Sequence, residues 1–160
     1  MNISKLISTC LLLIGTTVTT SVVASEHDHN HNHEQASTHQ TIQLNQGEKW
    51  PIDASLHIGM SEIKNSMEDN IAEIHHKKFT NSQYKSLAGK VDVQLAYLFE
   101  NCKLPEDADA QLHILLFDIM QASQQMQSSD NPRAGAITTI KALQKYPLYF
   151  DDKEWQALQH

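Results

Sequence analysis

Between Leu56 and Ile74 the apolar residues Leu56, Met60, Ile63, Met67, Ile71 and Ile74 return at steps of three and four. That spacing is the stripe of a helix burying one face, and Asp53 stands before it as an N-cap whose carboxylate can take a free backbone N–H. A second stripe, Tyr84, Leu87, Ala88, Val91, Leu95, Leu98, Phe99 and Cys102, follows Asn81 as its cap, and Pro105 ends the connection after it. A third helix is predicted over residues 107–127, with Leu112, Leu115, Leu116, Ile119, Met120 and Met126 inward. The break Ser128-Ser129-Asp130-Asn131-Pro132 opens a fourth, through Ile137, Ile140 and Leu143 to Tyr146-Pro147, and a short closing segment over residues 151–160 holds Trp155. No stretch alternates with period two for long enough to argue for a sheet. The fold class expected is all-α: an up-down-up-down four-helix bundle with short loops.

The chain before this region has two different textures. Met1 to Lys5 precede the apolar run Leu6-Ile7-Ser8-Thr9-Cys10-Leu11-Leu12-Leu13-Ile14, which dilutes into threonines and ends at Val22-Val23-Ala24. A basic start, a short apolar core and a small residue at the end make a secretory signal over residues 1–24, cleaved after Ala24. The run falls short of the roughly 20 apolar residues a membrane span needs, so no membrane anchor is expected after cleavage. Residues 25–47 are histidine, asparagine, glutamine, threonine and acids with almost nothing apolar. That composition cannot bury enough surface to fold and predicts a disordered tail, leaving residues 48–160 as one helical domain.

Charge and cysteine usage narrow the partners. A net charge of −7 argues against nucleic acid, because phosphate binding needs clustered Lys and Arg. Loss of Cys10 with the signal leaves Cys102 as a lone thiol in an oxidising compartment. It must then be buried, metal-bound or paired with another chain.

Inside the tail lies Glu26-His27-Asp28-His29-Asn30-His31-Asn32-His33, with His39 a little further on. Alternate residues of an extended chain project to one side, so His27, His29, His31 and His33 present a row of imidazoles. Imidazole is a good ligand for copper and zinc, and a flexible row of them makes a loose, unselective metal-binding tract.

The domain offers a second candidate. If the helices run up and down, Asp53, His57 and Met60 near the start of the first, Cys102 at the end of the second, and Asp109 and His113 at the start of the third share one end. At 1.5 Å rise per residue they fall within roughly 10 Å of one another along the axis. Thiolate, thioether and imidazole are soft to borderline ligands that suit Cu(I) best and zinc less well, so His57, Met60, Cys102 and His113 are candidate metal ligands. The plain alternative is that Met60 and Cys102 fill the core, Asp53 and Asp109 cap helices, and the histidines face solvent.

Other constellations carry less. Glu73-Ile74-His75-His76 has the Glu-x-x-His spacing of di-iron bundles but no second copy on another helix. His75-His76-Lys77-Lys78 suits a helix C-terminus, where cations meet the negative end of the dipole. No Cys-x-x-Cys-His is present for covalent haem, and haem held by Met60 or Met67 with His113 is the weaker reading, since core methionines explain the pattern as well. A catalytic Cys102 would need exposure and a base such as His57 or His113, and its place on the apolar stripe opposes that, so no enzymatic activity is expected.

The string Asn101-Cys102-Lys103-Leu104-Pro105 with Asp109-Ala110 and Leu112-His113, the opening Leu44-Asn45-Gln46-Gly47-Glu48-Lys49-Trp50 with Asp53, and the closing Tyr146, Phe150 and Trp155 resemble a family of small periplasmic helical proteins of Gram-negative bacteria with no assigned activity. The resemblance spans Leu44 to Trp155 and implies a periplasmic location. Where that family carries a His-Pro-Gly-Trp-like ending, this chain reads Asp152-Lys153-Glu154-Trp155. The sequence therefore predicts a periplasmic metal-binding or metal-buffering helical bundle. The alternative is a structural or interaction module that docks a periplasmic protein partner and binds no metal.

Overall fold

The computed structural model describes residues 41–128 and 130–159. The expected signal segment over residues 1–24 and the candidate ligands His27, His29, His31 and His33 lie outside them. Within the described residues the regular structure is all-helical: α1 (Ala54–Glu68), α2 (Ile71–His75), α3 (Asn81–Asn101), α4 (Glu106–Gln127) and α5 (Pro132–Tyr149). Helix α4 packs most extensively on α5, α1 packs on α3, α3 on α4, and α1 and α3 touch α5 more lightly.

The first predicted helix is two. Its apolar stripe runs unbroken, with Met67, Ile71 and Ile74 all buried, yet the backbone turns at Asp69 and Asn70. Asn70 Nδ2 donates to Ser66 O at 2.8 Å, a local side-chain bond that competes with helix continuation. Helix α2 then ends in a left-handed residue, Lys77 at φ 56, with Lys78 N–H donating to Glu73 O and Lys77 N–H to Ile74 O. That is a Schellman closure with lysine where glycine is usual. Arg133 of α5 reaches across to donate Nε–H to Ile74 O at 3.0 Å.

Helix α3 starts at its expected cap, Asn81, and is capped one residue earlier. Thr80, not Asn81, accepts from Gln83 N, and the Gln83 side chain accepts from Thr80 N, a capping box that needs glutamine at the third helical position. Helix α5 takes Asn131 as N-cap and Pro132 in its first turn, and it runs past the expected Tyr146-Pro147 end to Tyr149 with Pro147 inside. Two glycines set helix spacing. A Cβ on Gly59 of α1 would strike the Leu98 side chain of α3, and one on Gly135 of α5 would strike the Ala122 and Met126 backbone of α4.

The predicted core holds with four departures, one of them Cys102, which is half-buried. Phe99 is exposed, while Met120 and Ile137 are only half-buried. The folded body also begins before residue 48: Ile42 is 3% exposed in the core, and Gln43 N–H donates to Gln111 Oε1 on α4. Residues 41–47, assigned by composition to the tail, therefore belong to the domain. Trp50 ties the two ends of the described chain together: its N–H donates to Tyr149 O, its O accepts from Asp151 N, and its indole N–H donates to Gln43 O.

Candidate functional site

Asp53 organises the end of the molecule where α1 starts and α3 finishes. Its Oδ1 accepts from Leu56 N at 2.7 Å as the expected N-cap, and its Oδ2 accepts from Lys103 N at 2.6 Å. Cys102, the C-cap of α3, is half-buried beside this carboxylate. Burial and the negative charges of Asp53 and Asp109 push its thiol up to about 12, against a smaller opposing pull from Lys103. At neutral pH the sulfur is a protonated thiol. A nucleophile or a ready metal ligand would instead be a thiolate.

His57, one helical turn after Asp53, is turned toward the C-terminal segment. Its Nδ1 lies 2.9 and 3.0 Å from the two oxygens of Asp152, whose side chain is 1% exposed. A carboxylate only accepts, so Nδ1 carries the proton, and in the neutral ring Nε2 is left with its lone pair. Asp152 also accepts from Tyr146 OH at 3.1 Å and from Glu154 N at 3.1 Å. Burial, with the charge of Asp152 and the hydrogen bond to it, raises the Tyr146 phenol well above its usual range. Aromatic rings close the interior side: Phe150 stacks on Tyr146 at 5.3 Å and Trp155 meets it edge-on at 4.6 Å. On the outer side His57 Nε2 is 3.7 Å from Glu154 Oε2, with His57 28% and Glu154 83% exposed.

The other three ligands predicted in the domain lie in three environments apart from that of His57. Met60 is fully buried in the core. Cys102 sits within the influence of Asp53 and Asp109, half-buried where its stripe position predicts full burial. His113 is exposed on the outer face of α4, with Nδ1 2.9 Å from Asp109 O and 3.2 Å from Asp109 Oδ2, and its ring lies 5.5 Å from that of Phe99. Among the described residues no group of three or more His, Cys, Asp or Glu side chains is placed to hold a metal ion. No helix among them is long and apolar enough to cross a membrane.

Asp152, Glu154 and Tyr146 are the polar members that sequence reasoning did not place in a site. The acidic run Asp151-Asp152 directly after an apolar helix end is the only local signal. Its meaning depends on the chain returning to α1, 95 positions away from Asp152. No protein-family model, curated protein or solved structure matches this chain.

Proposed function

We propose that this chain is a periplasmic metal-binding protein in which the histidine tract captures copper or zinc and the helical domain is the body that carries it. The observation that carries the reading is the alternation His27, His29, His31, His33, four imidazoles in a segment of almost wholly polar composition. Its preceding apolar run and Ala24 support export through a cleaved signal. We read α1, α3, α4 and α5 as an up-down-up-down bundle. The Asp53 bond to Lys103 supports this, because it ties the first turn of α1 to the residue just after the C-cap of α3.

A tract of this kind binds through neutral imidazole, so protons compete with the metal. Affinity for zinc and copper falls steeply as pH drops through about 6.5, the ordinary imidazole value. Calorimetry at pH 7.5 and 5.5 on the full chain, and on a variant with the four histidines replaced by glutamine, is the test. Equal heats at both pH values, or in both proteins, would remove the tract from the reading.

A second reading, an interaction module, is favoured by one observation. Phe99 is 48% and Phe117 51% exposed, and His113 lies between them, in ring contact with Phe99 and four residues before Phe117 on α4. Two large exposed aromatics with a histidine make a contact face for a protein partner. Phe117→Ser with unchanged stability and unchanged metal binding, but with loss of a measurable association, would favour this reading over the first.

A further inference from the structure

The geometry points to a second metal position on the helical domain, formed by His57 Nε2 and the Glu154 carboxylate, for a borderline divalent cation of the zinc type. It deepens the metal-binding reading but uses none of the tract's histidines.

Three features of the arrangement carry this. First, the imidazole is held by its far nitrogen. Asp152, whose side chain is 1% exposed and is itself fixed by Tyr146 and the Glu154 backbone, accepts the Nδ1–H hydrogen bond with its two oxygens. This is the arrangement by which a carboxylate orients a ligating histidine. Second, the ring is not buried behind that contact: the His57 side chain is 28% exposed, and Glu154, which its Nε2 faces, is 83% exposed. Third, the group facing Nε2 is an anionic oxygen at 3.7 Å, too far for a hydrogen bond. Two ligands about 2.0 Å from a tetrahedral zinc stand about 3.3 Å apart, so a small inward movement of the exposed Glu154 side chain brackets a cation.

The remaining coordination positions fall to water. Such a position exchanges its metal readily and binds it more weakly than a closed structural site. Among the described residues no third protein donor completes it: Met60 lies in the core, Cys102 beside Asp53, and His113 against Asp109.

The test is a titration of the full-length protein with zinc chloride at pH 7.5, followed through the ring resonances of individually assigned histidines. His57 signals move saturably, and Glu154→Gln, a change at an exposed position, shifts their midpoint at least about tenfold to higher zinc. Asp152→Asn, which removes the orienting charge, raises the midpoint by about 10- to 100-fold. Should Asp152→Asn fail to fold, Glu154→Gln decides alone. His57 signals that stay fixed while zinc saturates the tract, or the same midpoint in Glu154→Gln, would overturn the site. Because His27 to His33 report separately, loss of the tract's response would count against the capture reading and leave the His57 result standing.

Discussion

Asp53 accepts a backbone hydrogen bond from Lys103 at 2.6 Å with the same carboxylate that caps α1 through Leu56 N–H. One side chain thereby closes the first turn of α1 and anchors the turn between α3 and α4. Two orphan N–H groups, from different parts of the chain, share one negative charge.

Asp53→Ala removes both bonds. Loss of the cap costs about 1 kcal/mol. Loss of a charged acceptor for Lys103 adds about 1.5–3 kcal/mol. Asp53→Asn keeps one acceptor oxygen and loses less. Urea denaturation of the three proteins should rank them parent, Asn, Ala. An Ala variant within experimental error of the parent would mean that solvent serves both N–H groups equally well.

Helix α4 lies so close to α5 at Gly135 that a methyl group there would strike the backbone at Ala122 and Met126. Backbone cannot rotate away as a side chain can. Gly135→Ala should therefore destabilise by about 1–3 kcal/mol, the range for overpacking, despite alanine's better helix propensity. Gly89, where an added Cβ meets nothing within 4 Å, is the control: Gly89→Ala should stabilise by about 1 kcal/mol. Thermal melts of the two variants should move in opposite directions.

Stripes and caps carried most of the helical reading because both are local. The apolar faces of α1, α3 and α4 follow the 3.6-residue period, and Asp53 caps where it stands in sequence. The turn at Asp69 and Asn70 was hidden because the buried stripe continues through it to Ile71 and Ile74. Ile42 was lost in the polar average of its surroundings. Phe99 fits the inner stripe by spacing yet lies out at its edge against His113, where the neighbouring helix decides its exposure. The link from His57 to Asp152 depends on the path of the chain after α5, and neither residue's neighbours along the sequence announce it.

Lys77 occupies the left-handed region at φ 56 to close α2. A side chain there costs about 1–2 kcal/mol, part of which glycine returns through the greater freedom of its unfolded chain. Lys77→Gly should stabilise by about 0.5–1 kcal/mol. Lys77→Val, with a branched side chain in the same position, should destabilise. If both variants melt with the parent, the closure of α2 contributes nothing to the cooperative fold.

The Cys102 thiol and the Tyr84 and Tyr146 phenols all hold their protons more tightly in the folded protein than in the unfolded chain. For Cys102 the causes are burial and the carboxylates of Asp53 and Asp109; for Tyr84, burial; for Tyr146, burial and Asp152. An unfolded thiol ionises near its ordinary value of 9.0, while the folded one waits until about 12. Between those values the folded state binds more protons than the unfolded one, so the free energy of unfolding, and with it the stability of the fold, falls as pH rises. The contribution is whole below pH 9.0 and is lost progressively toward about 12. Urea midpoints measured from pH 8 to 11 should therefore decline, and the decline should be shallower in Cys102→Ala, which removes one contributor. The slope is the discriminating quantity, since the loss of packing in Cys102→Ala shifts all its midpoints together. Parallel curves for parent and variant would mean that Cys102 ionises alike in both states and that the carboxylates around it are screened by solvent.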